Sequence, residues 1–125
     1  VVWGNGEQIR NWTHVDDIVS GTILAAEKID DGTAINLGTM ERTRVIDAVH
    51  AVLGYTKHSA EIECHPEMPT GPMNRVADNS MAKKLLGWEP EVRFMDGLRR
   101  TIDWYFSAKD KNKVSASLAN RLTER

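Results

Sequence analysis

Gln8, Arg10, Trp12 and His14 alternate with Ile9, Asn11, Thr13 and Val15, so an extended segment would place the first four on one face. An arginine beside an amide donor on such a face can clamp a phosphate or diphosphate through paired N–H groups. The same face can be a solvated strand surface that happens to carry a tryptophan, and spacing alone leaves both readings open. Tyr105 and Lys109 stand at the i, i+4 spacing at which a lysine can lower a tyrosine pKa for proton transfer. That pair falls where a helix gives way to a polar tail, and Tyr105 shares a face with Leu98 and Ile102. A structural role is therefore expected for both, with Tyr105 at least partly buried and Lys109 solvated. Gly4-Asn5-Gly6 begins like a dinucleotide-binding loop, but Ile9 stands where the third glycine would be and extended sequence follows. It reads as a tight turn. His14, His50, His58 and His65 show no metal-ligand spacing and Cys64 has no second cysteine, so neither a metal site nor a disulfide is expected. Asn11-Trp12-Thr13 is a glycosylation sequon that means little without a secretion signal.

These residues need elements to hold them. A strand is expected over 8–15, then a helix to about Lys28 with Asp16-Asp17 at its cap and first turn. Ile18, Thr22, Ala25 and Ile29 share one face of that helix, and Gly21 allows close packing on a sheet. A short strand over 33–37 follows, then a helix capped by Thr43 and stopped by Gly54, with Val45, Ile46, Val49, Val52 and Leu53 facing the core. The pattern continues with a weak strand over 60–65 and a loop marked by Pro66, Pro69, Gly71 and Pro72. Helices over 80–86, closed by Gly87, and over 95–106 complete it. In the polar tail, Val114, Leu118 and Leu122 could form one weak amphipathic helix. The order is that of a mixed α/β chain.

With 125 residues the chain fits one ordinary domain. Its 16 basic and 18 acidic residues leave a formal net charge of −2, which gives no electrostatic footprint for nucleic acid or an anionic membrane. No apolar run approaches the ~18 residues of a membrane span and no signal peptide opens the sequence, so a cytoplasmic protein is expected. The start at Val1, directly in apolar sequence, reads as a piece cut from something longer.

Taken in order, five segments resemble the C-terminal part of the NAD-dependent nucleotide-sugar epimerase/dehydratase family, the extended short-chain dehydrogenases. They are the run from Gly4 to Asp17, Ile35-Asn36-Leu37-Gly38, Arg75-Val76-Ala77-Asp78, Leu85-Leu86-Gly87-Trp88-Glu89-Pro90, and the run from Gly97 to Tyr105. The resemblance covers about Val2 to Phe106, leaving 107–125 as a tail. It implies a small mixed sheet with about four helices, without the complete Rossmann domain. It implies that Arg10 binds a nucleotide diphosphate with Gln8 beside it, that Arg75 is a second arginine near the phosphates or ribose, and that Asn36 lines the substrate site. The chain departs from the family pattern at Gly71-Pro72-Met73-Asn74-Arg75, where an aspartate after the glycine and two arginines are usual.

The family's Gly-rich NAD loop and its catalytic Tyr-x-x-x-Lys belong to an N-terminal portion that these residues do not contain. No catalytic residue is therefore assigned, and no NAD or NADP is expected to bind this chain alone. The expected ligand is a nucleotide diphosphate sugar. Three arrangements remain: a fragment or truncated homologue inactive alone, a stand-alone binding module, and a chain that complements a separate Rossmann subunit. Ile18, Ile23, Leu24, Ile35 and Leu37 would face the missing sheet, so self-association through this seam is expected.

Overall fold

The computed structural model describes residues 1–123, with side chains as far as residue 117. Ten elements follow one another: β1 (Val2–Trp3), β2 (Ile9–Arg10), α1 (Val15–Lys28), β3 (Thr43–Arg44), α2 (Val45–Thr56), β4 (Cys64–His65), β5 (Asn74–Arg75), α3 (Ser80–Leu86), α4 (Phe94–Ala108) and α5 (Lys111–Thr123). The strands make two small sheets. One pairs β1 with β4 in parallel; the other has the order β3-β2-β5, with β2 antiparallel to β3 and parallel to β5.

The core lies between α1 and α3. Ala82, Leu86 and Trp88 are buried there, and Leu24, Ala25, Ile29, Ile35 and Leu37 pack around them. Gly21 is what lets α1 come this close, since a Cβ at that position would stand 2.7 Å from Leu37 Cδ2. His14 caps α1, its Nδ1 accepting from Asp16 N at 3.3 Å, while Asp16 and Asp17 occupy the first turn. The Asp17 carboxylate is buried and accepts the backbone N–H groups of Glu91 and Val92 at 3.0 and 3.1 Å. Trp88 Nε1 donates to Asp17 O and to Ser20 Oγ, each at 3.1 Å, so the chain leaving α3 is fastened to the start of α1.

Several expected elements are shorter than alternation implied. The strand over 8–15 is confined to Ile9–Arg10, because the following residues find side-chain partners in place of a ladder; Thr13 Oγ1 takes Thr39 N at 3.0 Å. The 33–37 segment is no strand. Ile35 and Leu37 pack into the core, but no described strand pairs with it. The 60–65 strand shrinks to its last two residues, which meet β1. Thr43 lies in β3, leaving Arg44 at the α2 cap, and α2 runs through Gly54 to end with Lys57 in the left-handed region at φ 54°. β5 follows two prolines and carries no alternation to announce it. The tail forms a fifth helix, whose Leu118 and Leu122 side chains lie outside the described residues.

The seam also differs from expectation. Leu24, Ile35 and Leu37 are covered by α3 and Trp88, and Ile18 is half-buried. The open ridge of α1 is Val15, Val19 and Ile23, at 63%, 51% and 54% exposure.

Candidate functional site

β2 and β5 are two residues long, and their register sets Arg10 directly opposite Arg75. Cross-strand neighbours project from the same face, so two cations are held side by side, an arrangement that costs stability unless something negative lies between them. Neither has a carboxylate partner among the described residues. Arg75 is exposed, and its side chain makes no hydrogen bond among the described residues. Arg10 is half-buried. Its Nη1 donates to Ile9 O at 2.7 Å and Pro72 O at 2.8 Å, and its Nη2 donates to Thr70 O at 2.8 Å. The pair can take a doubly charged, multi-oxygen anion through forked N–H contacts.

The other two candidates sit differently. Gln8 is 5% exposed; its Nε2 donates to Trp3 O at 2.8 Å and its Oε1 is buried without a partner among the described residues. The Gln8 amide thus faces inward between β1 and β2, away from the solvent side that Arg75 occupies. Asn36 is exposed, and no described contact ties it to Arg10 or Arg75. Two residues on, Gly38 lies so close to Asn11 and Ala77 that a Cβ would stand 2.7 Å from Ala77 Cβ, and Asn79 Nδ2 donates to Gly38 O at 2.9 Å. Trp12 leaves the arginine pair for Phe94, with ring centroids 5.4 Å apart.

The positioning residues escaped the sequence. Glu41 Oε2 accepts Phe94 N at 3.0 Å, capping α4 from a distant loop. Arg44 bridges Asp47 and Glu7, and the two carboxylates hold its guanidinium above its ordinary pKa. The positive φ of Gly4 and Gly6, +81° and +79°, agrees with the tight turn read there, and Gly71 in the proline-rich loop also takes the left-handed region at +69°.

Behind Trp12 an open apolar groove of about 480 Å³ runs between α2 and α4, lined in part by Val45, Val49, Val52, Phe94 and Leu98. The helices meet beyond it at Tyr55, whose hydroxyl donates to Asp103 at 2.9 Å; that bond to a carboxylate raises the phenol pKa. α4 outruns α2 here. Tyr105 is consequently 40% exposed and stacks edge-on with Phe106, more open than its helical face implied. Lys109 is exposed and sits 5.2 Å over the Trp104 ring, not beside Tyr105. Among the described residues no group of three or more His, Cys, Asp or Glu could hold a metal ion, and no helix is long and apolar enough to cross a membrane.

A family model described as GDP-mannose 4,6 dehydratase matches residues 1–101. GDP-mannose 3,5-epimerase of Arabidopsis thaliana is 33% identical over 116 residues, 93% of this chain and 30% of that protein. The structure of UDP-glucuronic acid 4-epimerase from Bacillus cereus, in complex with UDP-glucuronic acid and NAD, superposes with a TM-score of 0.77 at 30% identity, covering 86% of this chain and 35% of that one. UDP-glucose 4-epimerase from Thermotoga maritima, with UDP-glucose, gives a TM-score of 0.77 at 32% identity, covering 85% and 34%. The chain therefore spans about a third of the length of the proteins it matches.

Proposed function

The chain belongs to the NAD-dependent nucleotide-sugar epimerase/dehydratase family of extended short-chain dehydrogenases, and on that premise we propose that these residues form its nucleotide-sugar-binding part, with Arg10 and Arg75 receiving the diphosphate. One observation carries this reading: the β2–β5 register places on one face two arginines that have no acidic partner among the described residues. Structures of similar chains hold UDP-glucuronic acid and UDP-glucose, which points to a nucleoside diphosphate sugar. Asn36, exposed, would meet the ligand's far end, while Gln8 holds the start of β2 to β1 through Trp3 O.

NAD does not fit the residues at hand. Gly4-Asn5-Gly6 leads into β2, and the first amides of α2, which approach this turn, are spent on the carbonyls of Gln8 and Gly6 at 3.0 and 2.9 Å. No helix N-terminus is left there to receive a pyrophosphate. Hydride and proton chemistry would then lie in parts of the enzyme outside these residues, and turnover by this chain alone is not expected.

Calorimetric titration of the chain with UDP-glucose, GDP-mannose and NAD tests the reading. The sugar nucleotides should bind weakly, and Arg75→Ala should weaken them by about tenfold, the scale of one charge-assisted contact. Saturable NAD binding at micromolar affinity, or sugar-nucleotide binding indifferent to Arg75→Ala, would show the assignment wrong.

A further inference from the structure

We propose that the turn Thr70-Gly71-Pro72 aims Arg10, so that order in this turn and anion binding at the arginine pair are coupled; the inference rests on the reading of that pair as a diphosphate site. A guanidinium carries five N–H groups. Three of those on Arg10 are committed to the carbonyls of Ile9, Pro72 and Thr70, at 2.7, 2.8 and 2.8 Å. All three bonds leave from the two Nη nitrogens. The Nε–H and at least one Nη N–H make no hydrogen bond among the described residues. Those N–H groups are donors left for the oxygens of a phosphate. Fixing a long side chain in one rotamer costs conformational entropy, and the turn has met that cost before a ligand arrives.

The turn is itself held. The Thr70 methyl lies over Gly4, where any Cβ would collide with it, and Gly4 has φ +81°. Gly71 sits at φ +69°, so that the Thr70 and Pro72 carbonyls can both point at the same guanidinium. Arg75, across the ladder, has no such tether among the described residues. The two cations therefore divide the work: Arg75 is free to swing onto an anion, and Arg10 meets it with a guanidinium already fixed in place. Thr70, Gly71 and Pro72 are positioning residues that act through Arg10.

The test uses the whole chain, with UDP and inorganic diphosphate as probes. Calorimetry reads affinity, and backbone 15N order parameters at Thr70 and Met73 read the turn. In the unsubstituted chain these should lie near ~0.85, the value of rigid backbone. Arg10→Lys keeps the charge but offers a single, shorter-reaching nitrogen in place of the planar Nη1/Nη2 pair that meets the Pro72 and Thr70 carbonyls. It should drop the turn below ~0.6 and weaken both probes about tenfold. Gly71→Ala leaves both arginines in place and should do the same through the strained backbone alone. Arg75→Ala should weaken the probes while the turn stays rigid. Unchanged amide spectra away from β2, β3, the Gly4 turn and residues 66–75 would establish that each variant is folded. A turn as rigid in Arg10→Lys as in the parent, or a Gly71→Ala chain whose turn loosens yet binds as the parent does, overturns the coupling while leaving the diphosphate reading intact. A parent chain that binds neither probe overturns both, and the parent titration alone identifies that case.

Discussion

Arg10 is visible in the sequence because alternation marks its face and the family resemblance marks its role; Arg75 is visible only through resemblance, and only the ladder register shows that the two are neighbours. Gln8 illustrates the limit of alternation. Its spacing puts it on the arginine face, but with the ladder only two residues long it turns inward to bond Trp3 O. His65 has no sequence signal of any kind, yet it stands between Glu63 at 3.1 Å and Glu67 at 2.8 Å. The hydrogen bond to Glu67, then the charges of Glu63 and Glu67, raise its pKa above the ordinary 6.5. Glu67 is lowered from 4.5, first by its own backbone N–H and then by His65. The signs define a window. The His65 contribution is full below 6.5 and fades as pH rises through its raised folded value. The Glu67 contribution is full above 4.5 and fades as pH falls through its lowered one. Thermal stability should therefore be favoured between these values and decline toward pH 8, and His65→Gln should flatten that decline. NMR titration of the His65 ring giving a pKa at or below 6.5 would contradict the account.

At the scale of elements, periodicity located α1, α3 and α4 to within about two residues, because each has an apolar stripe and a recognisable start or stop. Strands fared worse. A two-residue ladder has no period to detect, and β5 exists only because β2 lies beside it. Glycine was legible as punctuation, and the structure separates its uses. Gly54 lies inside α2, where a Cβ would meet nothing within 4 Å, whereas at Gly21 a Cβ would stand 2.7 Å from Leu37 and 3.0 Å from Trp88. Helix propensity favours alanine over glycine by about 1 kcal/mol at either site. Overpacking a closed core costs about 1–3 kcal/mol and should win at Gly21. Gly54→Ala is thus expected to raise the urea midpoint and Gly21→Ala to lower it. Two shifts of the same sign would mean that the α1 contact yields more readily than the structure implies.

For the whole molecule the balance of covered and uncovered apolar surface decides the behaviour. No large side chain among the described residues is fully buried, and the core centres on Ala82, Leu86 and Trp88. Val15, Val19 and Ile23 stand at i, i+4 and i+8 on α1, all more than half exposed. Burying each of the three α1 side chains is worth about 1.5–3 kcal/mol at most, so a continuous ridge of them in water is a strong incentive to associate. In a chain that spans about a third of the proteins it matches, such a ridge is suited to cover by further protein. When these residues are alone, a second copy is the surface at hand, and two α1 ridges packed about a twofold axis would bury the same stripe on both. Sedimentation equilibrium at low micromolar concentration should accordingly show a dimer or larger species. Val19→Lys places a charge in the middle of the stripe and should return the chain to monomer without touching the α1–α3 core, because Val19 faces away from Trp88 and Leu86. A parent chain that sediments as a single monomeric species, or a Val19→Lys variant that associates as strongly as the parent, would remove the ridge as the basis of association.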